Sequence, residues 1–259
     1  QRELRFQAKL LPYFTDYSSF AAKGLKSIFV PKYSSFTAQE RPAGTEGDVL
    51  ALTAARDQIP LDKNLYVSWI IDAADEVESA VDNQVLFLQR AAAAHARKID
   101  ELLIANLRAG AIDLGNAPLT YDLILEMNEA LMKVDALMQD VALFISPAQY
   151  TEMFKLPEFK SAEVYGQATI PSGVIGRVLG IPVVVHNGLV DAECYMAEKS
   201  AVGYAFHLSP NVARQPEIGW GTTAERVAVD QKFGSAVLQV AERGAPAGKS
   251  PLIVGVFGA

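Results

Sequence analysis

A cysteine nucleophile paired with a histidine base is the most reactive chemistry this chain could hold. Cys194 could meet His186 or His207, since the partners of such a pair need not be neighbours in sequence. The tripeptide Glu193-Cys194-Tyr195 carries no nucleophile-elbow signature, however, and a structural cysteine is the simpler reading. None of the three histidines, His95, His186 and His207, shares a metal-site spacing with a second ligand-type residue. His95 falls among the alanines of a helical stretch and reads as a packing residue, while His186 ends an apolar strand, where a structural role is expected. The acidic run Asp72, Asp75, Glu76, Glu78 and Asp82 could hold a divalent cation. It lacks calcium-loop spacing and reads instead as solvated charge ahead of a helix, favoured by the helix dipole. Gly173, Gly176 and Gly180 imitate a dinucleotide loop without its G-x-G-x-x-G core, and Pro182 opens a strand where that motif needs a helix. Asp100 and Glu101 are adjacent and point to different helix faces. Residue types fit for catalysis are present, but their spacing does not converge. No catalytic, cofactor-binding or metal-ligating residue is assigned and no cofactor is expected.

The elements that would position these residues describe another kind of molecule. Residues 1–30 alternate aromatic and basic side chains (Phe6, Tyr13, Phe14, Tyr17, Phe20, Lys23, Lys26) without a sustained helical period, and read as an arm with one short helical turn. Residues 31–64 form a polar stretch with turn signals at Pro42, Gly44, Gly47 and Pro60. It has too few large apolar residues for a core of its own, yet it is neither low in complexity nor one-signed in charge. A structureless loop of this length is uncommon in a compact domain, so an extended hairpin supported by another molecule is expected. Leu65–Ile71 has strand composition.

From Asn83 to Ala109 the residues Val85, Leu88, Ala92, Ala96, Ile99, Leu102, Leu103 and Asn106 recur at helical steps, with Gly110 as a stop. Such a helix would be roughly 40 Å long, and Ala91–Ala94 leave room for a close neighbour. A second helix is expected over Thr120–Met138, a buried strand over Val141–Ser146, and a helix opening at Pro147. Ser172–Asn187 reads as two strands around a Gly180 turn, Asp191–Leu208 and Thr223–Val240 as strand-rich segments, and Leu252–Phe257 as a last strand. Strands and helices alternate without a βαβ rhythm, which favours an α+β fold.

Bulk composition agrees with assembly. Half of the residues are hydrophobic and 20% are charged, enough apolar surface to bury between subunits as well as within one. A net charge of −7 argues against wrapping nucleic acid by neutralising its phosphates. It is compatible with loose enclosure, where repulsion from an acidic wall is useful. The apolar run Ile170–Val185 is broken by Pro171, Arg177 and Pro182 and cannot span a bilayer, and no signal-peptide core is present, so no membrane partner is expected. A single cysteine rules out an internal disulfide framework and fits a reducing compartment. The start at Gln1 rather than at methionine fits either processing or a trimmed terminus.

Read in order, NLYVSWIIDAADEVESAVD leading into NQVLFLQRAAAAHARKIDELLIANL resembles the tailed-bacteriophage major capsid protein family, with its Hong Kong 97-like fold. VALFISPAQYTEMFK, IPSGVIGRVLGIPVVVHNGL, TTAERVAVDQKFGSAVLQV and the final LIVGVFGA extend the likeness over nearly the whole chain. The resemblance implies an N-terminal arm (1–30), an extended hairpin called the E-loop (31–68), a peripheral domain with a long spine helix (69–112 and 200–240), and an axial domain (113–199 and 241–259). It implies a structural protein, not an enzyme, whose pentamers and hexamers build an icosahedral shell around double-stranded DNA in the virion, without sequence-specific binding. Assembly would take place in the host bacterial cytoplasm, with scaffolding and portal proteins and a decoration protein as further partners.

On this reading the hairpin lies over a neighbour's spine helix. Val49, Leu50, Leu52, Ile59 and Leu61 would be buried there, and Glu46, Asp48, Arg56 and Asp57 would form inter-subunit salt bridges. Two alternatives stand beside it: an encapsulin-like nanocompartment shell, which would show a binding pocket for a cargo peptide, and a soluble enzyme, which would show converging polar residues in a cleft.

Overall fold

The computed structural model describes residues 8–33, 40, 54–72, 83–115, 119–156, 176–216, 224–238, 246 and 248–256. In the arm, two 3-10 turns (Leu11–Tyr13 and Ser18–Phe20) flank the short strand β1 (Thr15–Asp16). β2 (Ser27–Tyr33) and β3 (Ala54–Pro60) form an antiparallel hairpin, from Ser27 opposite Pro60 to Tyr33 opposite Ala54. The expected hairpin is there, but its root lies inside the stretch read as arm, because Ile28 and Ile59 pair at that level and are buried. β4 (Lys63–Asp72) follows, then α1 (Asn83–Gly110), 28 residues long. The strand β5 (Ile112–Asp113) leads to α2 (Tyr121–Lys133), β6 (Val141–Ile145) and α3 (Pro147–Met153). β7 (Arg177–Val178), β8 (Ile181–Val185), β9 (Cys194–Glu198), β10 (Val202–Pro216), β11 (Ala224–Val237) and β12 (Ile253–Val256) complete the described elements.

Local chemistry accounts for most of the ends. Thr120 caps α2 by accepting from Leu123 N–H, and Ser146 with Gln149 forms a reciprocal capping box at α3, where Pro147 needs no hydrogen-bond partner. The second helix stops five residues before the expected Met138. Asp135 turns left-handed (φ 55°), its N–H donates to Met132 O, and Ala136 N–H reaches back to Leu131 O. That is a Schellman stop with aspartate where glycine is usual, which hides it from the sequence. Leu179 and Gly180, both left-handed, make the tight β7–β8 turn. The glycines read as a possible nucleotide loop therefore shape a hairpin, with Gly173 outside the described residues.

Two principal sheets result. One has the order β1-β10-β11-β4, with β10, β11 and β4 antiparallel; the other has the order β5-β12-β9-β6-β8-β7. The segment read as one strand-rich run over Asp191–Leu208 is divided between them: β9 belongs to the second sheet, and a 3-10 turn at Lys199–Ala201 hands the chain to β10 in the first.

The second sheet is covered on both faces, and this explains why β6 and β9 are buried at every position. Val141, Leu143, Ile145, Cys194 and Met196 face Ile124, Met127 and Leu131 of α2. Ala142, Phe144, Tyr195 and Ala197 face Leu103, Ile104 and Leu107 of α1, joined by Leu10 and Phe14 of the arm. On α1 the buried face is firm from Ile99 to Leu107. Towards its N-terminus Ala91, Ala93 and His95 are buried instead, while Val85 and Ala92 of the expected stripe stay exposed. Gly110, expected as a stop, is the last helical residue; a Cβ there would stand 2.7 Å from Val237 Cγ1 and 2.9 Å from Ile253 Cδ1. Close approach of β11 and β12 requires the glycine.

Candidate assembly interface

Of the groups that might have done chemistry, Cys194 and His186 hold structural places. Cys194 is fully buried, and burial pushes its thiol up to about 12, so it carries no thiolate near neutral pH. His186 holds a buried place between Asp100 and Gly188. Among the described residues no group of His, Cys, Asp and Glu side chains could hold a metal ion, and no helix is long and apolar enough to cross a membrane. Of the acidic run, all but Asp72 lies outside the described residues. A groove of about 260 Å³ opens between α1 and the β10–β11 pair, lined by Ala8, Leu88, Ala92, His95, Ala96, Ile99, Pro210, Val212, Val229 and Gln231. Its wall is apolar apart from His95 and Gln231, so it gathers no set of converging acids, bases or nucleophiles.

The hairpin carries the more telling geometry. Strand alternation gives it two unlike faces. On one, Ile28 and Ile59 pair at the root, and Lys32 Nζ lies 3.1 Å from Asp57 Oδ1 further out. On the other, the Arg56 guanidinium sits 5.4 Å from the ring centre of Phe29, a diagonal cross-strand pair whose ring is 53% exposed. The root rests on the first sheet through two glycines. A Cβ on Gly234 of β11 would stand 2.2 Å from Pro60 O, and one on Gly203 of β10 would stand 2.8 Å from Ile59 Cδ1. These close approaches went unread in the sequence, although glycine inside a strand pattern is the signal that points to them.

Of the residues expected at the subunit interface, Glu46, Asp48, Val49, Leu50 and Leu52 lie outside the described residues. Arg56 is exposed on β3, with Asp57 beside it on the opposite face. Ile59 and Leu61 depart from the expectation: they are 0% and 1% exposed, packed with Ile28, Ala205 and Leu238 of their own chain. They hold the root of the hairpin to its own sheet, because the strand enters the core before it reaches any neighbour.

The described residues thus form a mixed α+β subunit whose β2–β3 hairpin is anchored on its own sheet. The chain belongs to the phage capsid protein family, whose model matches residues 43–249. Its fold is that of solved tailed-phage capsid subunits. A chain from Mycobacterium phage Che8 superposes with a TM-score of 0.81 at 18% identity, over 100% of this chain and 95% of that one. The capsid of cyanophage P-SCSP1u gives 0.75 at 15% identity, over 98% and 89%. The capsid of a native GTA particle gives 0.72 at 15%, over 100% and 93%. A search among curated proteins finds no match. Family and fold are those of a structural major capsid protein, not of an enzyme.

Proposed function

We propose that this protein assembles with copies of itself into an icosahedral virion shell that encloses double-stranded phage DNA. The observation that carries this reading is the likeness to capsid subunits over the whole of this chain, joined to a hairpin whose apolar root is anchored on its own sheet. In this reading α1 with the first sheet is the peripheral domain and the second sheet with α2 and α3 the axial domain. The segment from β2 to β3 is the E-loop, and the chain before it the arm. Pentamers and hexamers are the building units, formed in the host bacterial cytoplasm with scaffolding and portal proteins. A decoration protein is a further partner.

Glu46, Asp48, Arg56 and Asp57 supply polar contacts to a neighbouring subunit, and Val49, Leu50 and Leu52 apolar ones. A net charge of −7 lets the enclosed DNA pack without adhering to the wall. Light scattering and negative-stain microscopy of the purified protein test the reading. Closed shells, pentamers or hexamers are expected; a monomer that stays monomeric with its scaffolding partner supplied refutes it.

A further inference from the structure

Asp100 lies in the middle of α1 with no exposed surface, and three donors converge on its carboxylate. Lys9 N–H reaches Oδ2 at 3.0 Å and Leu10 N–H reaches Oδ1 at 3.2 Å. The third is Nε2 of His186, 3.1 Å from Oδ2. The far side of the ring decides its tautomer. Gly188 N–H donates to Nδ1 at 2.9 Å, so Nδ1 offers a lone pair and Nε2 carries the proton. One buried side chain thus joins the arm, the long helix and the loop that leaves β8.

The same face of α1 grips that loop twice more, one and two turns on. Ile104 Cδ1 lies 2.9 Å from where a Cβ on Gly188 would stand. Arg108 holds Glu193 through both oxygens, with Nε to Oε1 at 2.9 Å and a terminal nitrogen to Oε2 at 2.6 Å. The arm then runs on to the second sheet, where Phe14 stacks on Phe144 of β6 at 5.6 Å and Tyr13 meets the same ring edge-on at 5.9 Å. Removing the arm would leave the carboxylate with one donor in place of three, and the water that replaces Lys9 N–H would compete with His186 Nε2 for the same oxygen, Oδ2.

We infer that Asp100 is a latch that makes docking of residues 9–14 and seating of the 186–193 loop a single two-state event. Displacing the arm then loosens the 186–193 loop at its His186 end. The inference stands on these contacts alone and does not rest on the shell reading.

Native-state hydrogen exchange on the full chain tests it without any substitution. The amides of Lys9, Leu10 and Gly188 are expected to open together, with protection within about threefold of one another and falling in parallel as urea rises. Asp100→Asn is expected to speed all three by at least roughly tenfold, because the amide offers one acceptor oxygen and turns an N–H towards the arm's own donors. His186→Gln is the discriminating variant: it removes no hydrogen bond of Lys9 or Leu10, yet both should loosen. Protection in the unaltered chain that differs by more than about tenfold among the three amides overturns the latch. So does a His186→Gln chain in which Gly188 exchanges faster while Lys9 and Leu10 keep their original rate. Both measurements remain decisive if Asp100→Asn fails to fold.

Discussion

Gly234→Ala should break the seat of the hairpin. A Cβ at Gly234 would stand 2.2 Å from Pro60 O, 3.0 Å from Pro60 C and 2.9 Å from Leu61 Cδ2. An ordinary carbon–oxygen contact is about 3.3 Å or longer, so the end of β3 must retreat by about 1 Å. The obstacle is main chain and cannot rotate aside. Overpacking of this kind costs about 1–3 kcal/mol. The retreat also lifts Ile59 and Leu61 from Ala205 and Leu238, part of a burial worth about 1.5–3 kcal/mol per side chain. The expected loss is about 3–5 kcal/mol.

Gly203→Ala is the control, since its new Cβ meets only side-chain ends: Ile59 Cδ1 at 2.8 Å, Leu238 Cδ1 at 2.9 Å and Tyr17 Cε2 at 3.0 Å. These can adjust, and a loss of no more than about 1–2 kcal/mol is expected. Urea unfolding of the unassembled chain, followed by tryptophan fluorescence, gives both values, and tryptic cleavage after Lys26 reports on the hairpin directly. A Gly234→Ala protein within about 0.5 kcal/mol of the parent, or a Gly203→Ala protein just as unstable, would refute the argument.

Other outcomes can be checked in the same system. Cys194, with its thiol pushed up to about 12, should resist iodoacetamide at pH 8 in the folded protein and react promptly in urea; equal rates would contradict its burial. Burial lowers the pKa of His95 from its ordinary 6.5, against smaller opposing effects of Gln231 and Asp230. The unfolded chain then takes up a proton that the folded one refuses, so stability is present above 6.5 and falls as pH drops through that value towards the lowered one. The urea midpoint of the parent should fall more steeply than that of His95→Gln between about pH 7 and pH 5, and parallel curves would sink the claim. Asp135→Gly should raise stability by about 0.5–1 kcal/mol, because glycine takes the left-handed stop of α2 without strain; a loss would argue against that stop. Charge reversal at Arg56, exposed on β3, should leave unfolding within about 1 kcal/mol yet impair particle formation, and normal particles would remove it from the interface.

The long helix was legible because its residues keep helical steps over about six turns, and the hairpin because a polar stretch of that length had no other outlet. The α1 N-terminal half was misjudged in detail: which alanines turn inward depends on where β10 and β11 pass, and alanine is small enough to face either way. Ile59 and Leu61 were assigned to a neighbour because their apolar character shows that they are buried, but not against what.

Sequence alone determined that this chain is α+β and where most of its helices and strands lie, since those follow from residue type and period. Only the tertiary structure decided that β9 and β10 part to different sheets, that Gly203, Gly234 and Gly110 are sites of close approach, and that Asp100 gathers the arm and the 186–193 loop. Each of these depends on contacts between residues far apart along the chain, and such contacts leave no periodic trace in the sequence.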